Sequence, residues 1–290
     1  MEAVAHKTFI YQFGRRQYDL SSRTHIMGVL NVTPDSFWDG GRYVDAVRAV
    51  EHALTMIEHG ADIIDVGGES TRPKSRAYGE GAEAVPPEEE LRRVIPVIER
   101  PSVEADIPIS VDTYKSAVAQ KALEAGAVIV NDISGLNFDR DMPRVVAEMG
   151  ASAVVMHIQG TPKTMQISPK YDDLLGEITR YMQNSLEAGR RCGVGQMMVD
   201  PGLGFGKNVG HNLQLIRELG RLGGLGYPVV VGPSRKSFIG AVTQLPPEER
   251  IEGSLAAVVA CVMHGANIVR VHDVKEAKRA VLVADAIMNG

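Results

Sequence analysis

A chain of 290 residues, 44% hydrophobic and 23% charged, can bury a large core, and a single α/β barrel would use its whole length. Its net charge of -5 argues against a general nucleic-acid binder, which needs a basic face for phosphates. No apolar run is long enough to span a bilayer, and MEAVAHKTFIYQF lacks the basic-then-apolar layout of a signal peptide, so a cytoplasmic protein without a membrane partner is expected.

Residues 8–20 read as a short β-hairpin, TFIYQF and QYDL around Gly14-Arg15-Arg16, placed to cover one end of a barrel. The chain then repeats one theme: a short β-branched run, a polar loop and an amphipathic helix. The eight runs span 25–32, 61–68, 107–113, 127–134, 152–158, 196–202, 228–234 and 268–274. Helical spacing follows over 45–60, 88–98, 115–126, 142–150, 172–193, 212–223, 252–266 and 275–290. Gly60, Gly126, Gly150 and Gly265 end helices just before strands, the place of a left-handed cap. Eight βα units predict one (β/α)8 TIM-barrel domain over 1–290 with an N-terminal hairpin. A doubly wound open sheet is the alternative, but no G-x-G-x-x-G follows its first strand. Cys192 and Cys261 are far apart and lack metal-ligand spacing, so two reduced, structural cysteines are expected.

The loop NVTPDSFWDGG offers oxygens for a hard cation at Asn31 and Asp35, and flat apolar surface at Phe37 and Trp38. In a (β/α)8 barrel the residues that finish each strand converge at one mouth. Here they are Asn31; Glu69, Ser70, Thr71 and Arg72; Asp112; Asn131 and Asp132; Met156 and His157; Asp200; Ser234, Arg235 and Lys236; and Arg270 and His272. Asp112, Asn131 and Asp200 supply acceptors and one amide, which suit the edge of a pterin- or guanine-like ring. The same acids could instead hold a metal or pair with Lys236 and Arg270. Arg72, Arg235, Lys236, Arg270 and His272 gather positive charge suited to a phosphate or carboxylate, although each could pair with a neighbouring acid. His157 has no Ser or Cys partner in a triad arrangement and reads as structural.

NVTPDSF, DVGGESTRP, SVDT, NDISG, MHIQGTPKTMQ, DPGLGFGK, PSRKSFIG and RVHDV, in that order over almost the whole chain, resemble the dihydropteroate synthase family. The resemblance implies an enzyme that joins 4-aminobenzoate to 7,8-dihydropterin-6-ylmethyl diphosphate. It would release diphosphate, form 7,8-dihydropteroate for folate biosynthesis, and be inhibited by sulfonamides, which imitate 4-aminobenzoate. It implies that Asp112, Asn131 and Asp200 hold the pterin edge, with Met156 lining the pocket and Lys236 reaching the oxo side. Arg270 would stack near the pterin and, with His272, Asn31, Thr71 and Arg72, hold the diphosphate, with magnesium (Mg2+) beside Asn31. The 4-aminobenzoate would lie between Phe37, Pro73, Phe205 and Lys236, its carboxylate near Ser237. Asp35 is the candidate anion beside the electron-poor methylene, and Lys236, Arg270 and His272 complete the expected catalytic set.

Trp38, Lys74 and the long second loop KSRAYGEGAEAVPPEEE depart from the family pattern, and they bear on the 4-aminobenzoate side. A pterin-binding methyltransferase serving a corrinoid partner would share Asp112, Asn131 and Asp200 but has no use for SRKS. A non-catalytic pterin-binding paralogue would lack Lys236, Arg270, His272 or Asn31, and all four are present. Members of the family are usually homodimers, and the apolar segments VVACVMHGA and VLVADAIM offer an interface.

Overall fold

A computed structural model describes residues 8–33, 42–70 and 84–289. The hairpin forms first in the chain: β1 (Ile10–Phe13) pairs antiparallel with β2 (Arg16–Asp19) around Gly14, whose φ of +59° suits glycine. Alternation along β1 exposes Ile10 and Gln12 and buries Tyr11 and Phe13. The buried pair, with Leu20, packs on Met27, Ile63, Ile129, Val154, Met198, Val230 and Ile268 from the strands of the large sheet. Tyr11 Oη also donates to Met197 O at 2.6 Å. The hairpin therefore plugs the barrel at the entering ends of the strands, as its sequence suggests. Full burial of a ring such as Phe13 contributes about 1.5–3 kcal/mol.

All eight expected strands form: β3 (His25–Asn31), β4 (Ile63–Gly67), β5 (Ile109–Asp112), β6 (Ile129–Asp132), β7 (Ser152–Met156), β8 (Gln196–Asp200), β9 (Val230–Val231) and β10 (Ile268–Val271). They pair in parallel in the order β8-β7-β6-β5-β4-β3-β10-β9. A parallel bridge between Val199 and Val229 joins the two edges, and Val199 N donates to Pro228 O at 2.9 Å. Closure buries both faces of every strand, which is why the runs are nearly continuous in apolar residues. Gly28 on β3 is a point of close approach, since a Cβ there would lie 2.9 Å from Met56 Sδ.

The helices are α1 (Arg42–Glu58), α2 (Pro87–Glu104), α3 (Ser116–Glu124), α4 (Met142–Glu148), α5 (Leu174–Cys192), α6 (Val209–Arg217), α7 (Ser237–Thr243), α8 (Ile251–Met263) and α9 (Val274–Asn289). The four expected left-handed glycine caps have φ between +63° and +113°. Two expectations need correcting. The helix expected over 212–223 stops at Arg217 and gives way to a 3-10 segment, Leu219–Leu225, where Gly220, Gly223 and Gly224 weaken α-helix. In addition, α7 stands in the β9–α8 connection, which the sequence reading took as loop. Among the described residues no helix is long and apolar enough to cross a membrane.

Candidate active site

The leaving ends of the strands surround a cavity of about 560 Å³. Every described residue to which the resemblance gave a role lines it: Asn31, Asp112, Asn131, Met156 and Asp200 at strand ends, Phe205 after β8, Lys236 and Ser237 at the start of α7, and Arg270 and His272 on and after β10. Asp132, expected at the mouth, instead turns its carboxylate to Ser134 and the Leu136 N–H. Asp35, Phe37, Pro73, Thr71 and Arg72, together with the departures Trp38 and Lys74, lie outside the described residues.

The polar wall leaves groups available for a ligand. Asp200 Oδ1 accepts from Gly202 N at 2.7 Å, and Asp112 Oδ2 accepts from Arg270 Nη2 at 2.6 Å. The second oxygen of each acid has no hydrogen-bond partner among the described residues. Asn131 Nδ2 donates to Asp65 Oδ2 at 3.0 Å, which leaves its carbonyl oxygen and one N–H for a ligand. Burial pushes the Asp112 carboxyl up to about 7 against the pull of Arg270, with Asp65 and Glu90 adding to the rise. Burial also raises Asp200, while the Gly202 N–H, Lys236 and Arg270 oppose it.

Asp65, midway along β4, is a site residue that the sequence reading missed. It is 0% exposed, and its Oδ2 accepts both from Asn131 and from Arg270 Nε, the latter at 2.6 Å. Its Oδ1 is buried with no partner among the described residues. Arg270 is thus gripped between Asp65 and Asp112; burial works against its charge, but the two acids more than offset this and hold its pKa above the ordinary value. The signal was an acid inside the otherwise apolar run IIDVG.

Lys236 lies with its Nζ 4.4 Å from the centroid of the Phe205 ring. Burial, then Arg270, pushes its ammonium down to about 8 although Asp200 and Asp112 pull upward. The preceding Arg235 has φ +57°, a conformation few side chains adopt, and three contacts hold it there. Its N–H donates to Ser254 Oγ at 2.9 Å, its carbonyl accepts from Arg250 Nη1 at 3.2 Å, and its guanidinium pairs with both oxygens of Asp273. Arg235 lines the cavity with its charge offset by Asp273. His272 Nδ1 lies 3.1 Å from Ser234 Oγ. Burial, then Arg270, Arg235 and Lys236, drives its pKa down to about 3, so without a ligand the ring is a neutral hydrogen-bonding group.

Two further clusters flank the site. Lys115 pairs with Glu69, with Glu90 Oε2 at 2.5 Å and with Val85 O at 2.8 Å, while Tyr114 Oη donates to Glu69 Oε1 at 2.8 Å. His157, expected to be structural, is buried beside Tyr171 and Tyr181, and its Nδ1 lies 2.9 Å from Lys207 Nζ. Among the described residues no group of three His, Cys, Asp or Glu side chains could cage a metal. Asn31 contributes one amide oxygen, which has no hydrogen-bond partner among the described residues. That fits a magnesium ion taking its other oxygens from a diphosphate and water.

Residues 27–272 match the family model described as pterin binding enzyme. Dihydropteroate synthase of Escherichia coli K12 is 46% identical over 270 residues, covering 92% of this chain and 93% of that protein. The structure of Yersinia pestis dihydropteroate synthase with a sulfonamide drug is 43% identical at a TM-score of 0.90, covering 97% of this chain and 100% of the other. Dihydropteroate synthase from Xanthomonas albilineans in complex with 7,8-dihydropteroate is 39% identical at a TM-score of 0.86, with the same coverage. The chain belongs to the pterin-binding enzymes and, within them, to the dihydropteroate synthase family.

Proposed function

We propose that this chain condenses 7,8-dihydropterin-6-ylmethyl diphosphate with 4-aminobenzoate, forming 7,8-dihydropteroate and diphosphate. One observation carries this reading: half-satisfied Asp112, Asn131 and Asp200 share a single cavity with Lys236, Arg270 and His272. The free oxygens of the two acids accept from the pterin amino group and ring N–H, Asn131 pairs with the adjoining edge, and Lys236 donates to the oxo group. Met156 closes the pocket against the ring.

Across the cavity, Arg270 and His272 face the leaving group. The methylene C–O bond breaks as diphosphate departs, the 4-aminobenzoate nitrogen forms the new C–N bond, and that nitrogen then gives up a proton. Fixed donors aimed at the departing oxygens stabilise their developing charge. Magnesium held by Asn31 and the diphosphate would supply further charge neutralisation there. Phe205 and Lys236 offer a face and a cation to 4-aminobenzoate, with Ser237 near its carboxylate; sulfonamides, seen with the Yersinia pestis relative, would take the same place. Asp35, Phe37, Pro73, Thr71 and Arg72 complete the reading from sequence.

The test is diphosphate release from purified protein with magnesium and the pterin diphosphate, with and without 4-aminobenzoate, for wild type and Lys236→Ala. Release coupled to dihydropteroate formation, and reduced by about 10²-fold or more in the variant as a lost electrostatic contact requires, supports the reading. Pterin binding without release would instead indicate a non-catalytic paralogue.

A homodimer is part of the same proposal. Leu282, Val283, Ile287 and Met288 on α9 and Met263 on α8 are exposed apolar side chains on two helices that pack together. A monomer by sedimentation at micromolar protein would remove that part. Two free cysteines, Cys192 and Cys261, suit the reducing cytoplasm.

A further inference from the structure

The connection leaving β8 has no regular secondary structure, yet it carries Phe205, and three consecutive carbonyls along it are each held by a different side chain. Gln166 Nε2 donates to Gly204 O at 2.5 Å, Lys207 Nζ to Phe205 O at 2.9 Å, and Tyr171 Oη to Gly206 O at 2.7 Å. Lys207 Nζ also donates to His157 Nδ1 at 2.9 Å and is 2% exposed. Gln166, Tyr171 and His157 all belong to the connection leaving β7, so the two connections are laced together with Lys207 between them.

The backbone of the laced segment is unusual. Gly202, Gly204 and Gly206 have φ of +70°, +83° and +67°, and a Cβ on Gly202 would lie 2.0 Å from His157 O. Such a chain has no strand or helix ladder to define it, so its side-chain hydrogen bonds must do so. The two groups that Lys207 touches, a carbonyl and an imidazole nitrogen, are neutral acceptors. Its stem could be replaced by any linear apolar chain, but its N–H donors could not.

We propose that Lys207 is a positioning residue for the 4-aminobenzoate side of the reaction, tying Phe205 O to His157 Nδ1 and so holding the Phe205 ring against Lys236. This deepens the function proposed above and rests on its assignment of Phe205. Burial pushes the Lys207 ammonium down to about 7 although Asp200 pulls upward. Both protonation states keep two N–H donors, so the tie survives deprotonation. Burial, then Lys207, holds the pKa of His157 down to about 2, so the ring is neutral, and in the tautomer protonated at Nε2 its Nδ1 accepts from Lys207.

The experiment compares Lys207→Met, Tyr171→Phe and Phe205→Ala with wild type in the full chain, by kinetics in both substrates and by hydrogen exchange over residues 202–207. For Lys207→Met the KM for 4-aminobenzoate should rise about tenfold, the size of one or two lost buried hydrogen bonds, while the KM for the pterin diphosphate moves less than about threefold. Exchange of the 204–207 amides should quicken by a similar factor. Tyr171→Phe, which removes one hydroxyl from a half-buried ring, should give the same split at roughly threefold and stands in if Lys207→Met does not fold. Unchanged exchange, or an equal rise in both KM values, overturns the proposal. Faster exchange with Phe205→Ala leaving the 4-aminobenzoate KM unchanged upholds the tie and places the failure in the reading of Phe205.

Discussion

Asp65 organises the proposed pterin side through what it denies to other partners. By accepting from Arg270 Nε and Asn131 Nδ2 on one oxygen, it sets which faces of those side chains are left for a ligand. Asp65→Asn keeps the shape, and its amide oxygen can still accept from both donors, but it removes the negative charge that pairs with Arg270. Breaking such a buried pair should lower stability by about 3 kcal/mol or more and weaken binding of a pterin at least tenfold, read by denaturation and calorimetry. Full pterin affinity in the variant would remove Asp65 from the site. Asp112 makes a second prediction. With its carboxyl near 7 in the free protein, half the molecules carry a proton at that pH, and a ligand offering N–H donors favours the ionised form. Pterin binding at pH 6–7 should therefore release protons, and affinity should fall as pH drops below about 7. Calorimetry in buffers of different ionisation enthalpy measures the release; an identical heat in every buffer would count against it.

At the scale of elements, the hairpin and the mouth are at opposite ends of the barrel, so stability and activity should separate. Phe13→Ala should cost about 3–5 kcal/mol by opening the plug, while leaving both KM values unchanged. A substantial change in either KM without unfolding would mean that the plug reaches the site. The same separation explains what could be read in the sequence. The eight strands were legible because closure buries both faces and writes β-branched runs into the chain, and the strand-end residues converge for the same reason. Asp65 escaped because its role depends on register: it lies beside Val29 and Ser110 on neighbouring strands, and the partners it meets come from β6 and β10. For α7, SFIGAVT is short and rich in β-branched and aromatic residues, so local propensity gave it no helical signature. The pairing of Arg235 with Asp273, and the neutrality of His272, follow from distances that no spacing rule contains.

The balance of buried titratable groups decides how the whole molecule responds to acid. His157 and His272 have folded pKa values of about 2 and about 3, both depressed by burial first, against 6.5 for an ordinary histidine. Below pH 6.5 the unfolded chain takes up these two protons, which the folded chain refuses. His25, His52 and His211, also lowered by burial first, act in the same direction, so the histidines make stability fall with pH. Asp112 and Asp132 oppose it, since burial raises them to about 7 and about 6 from 3.8, and the folded chain binds their protons first. Burial raises Asp200 and Glu90 in the same sense, while Asp62 and Asp139 are held low by hydrogen bonds that overcome their burial. Between pH 6 and 4 the two histidines and the two carboxyls therefore nearly cancel. Below about 3.8 Asp112 and Asp132 are protonated in both states, and the two histidines contribute up to roughly 2.7 kcal/mol per pH unit, to which Asp62 and Asp139, still ionised in the folded chain, add. Stability from the urea midpoint should thus decline only gently from pH 6 to 4, where Asp200 and Glu90 oppose His25, His52 and His211, and drop steeply below it. His272→Asn should roughly halve the histidine share of the steep part, because one of the two histidines no longer titrates. Asp112→Asn should move the onset of the steep decline up toward pH 6, because one compensating proton site is gone. A wild-type curve that falls steadily from pH 6, unchanged in slope by His272→Asn, would mean that His272 is protonated in the folded protein and faces the diphosphate as a cation after all.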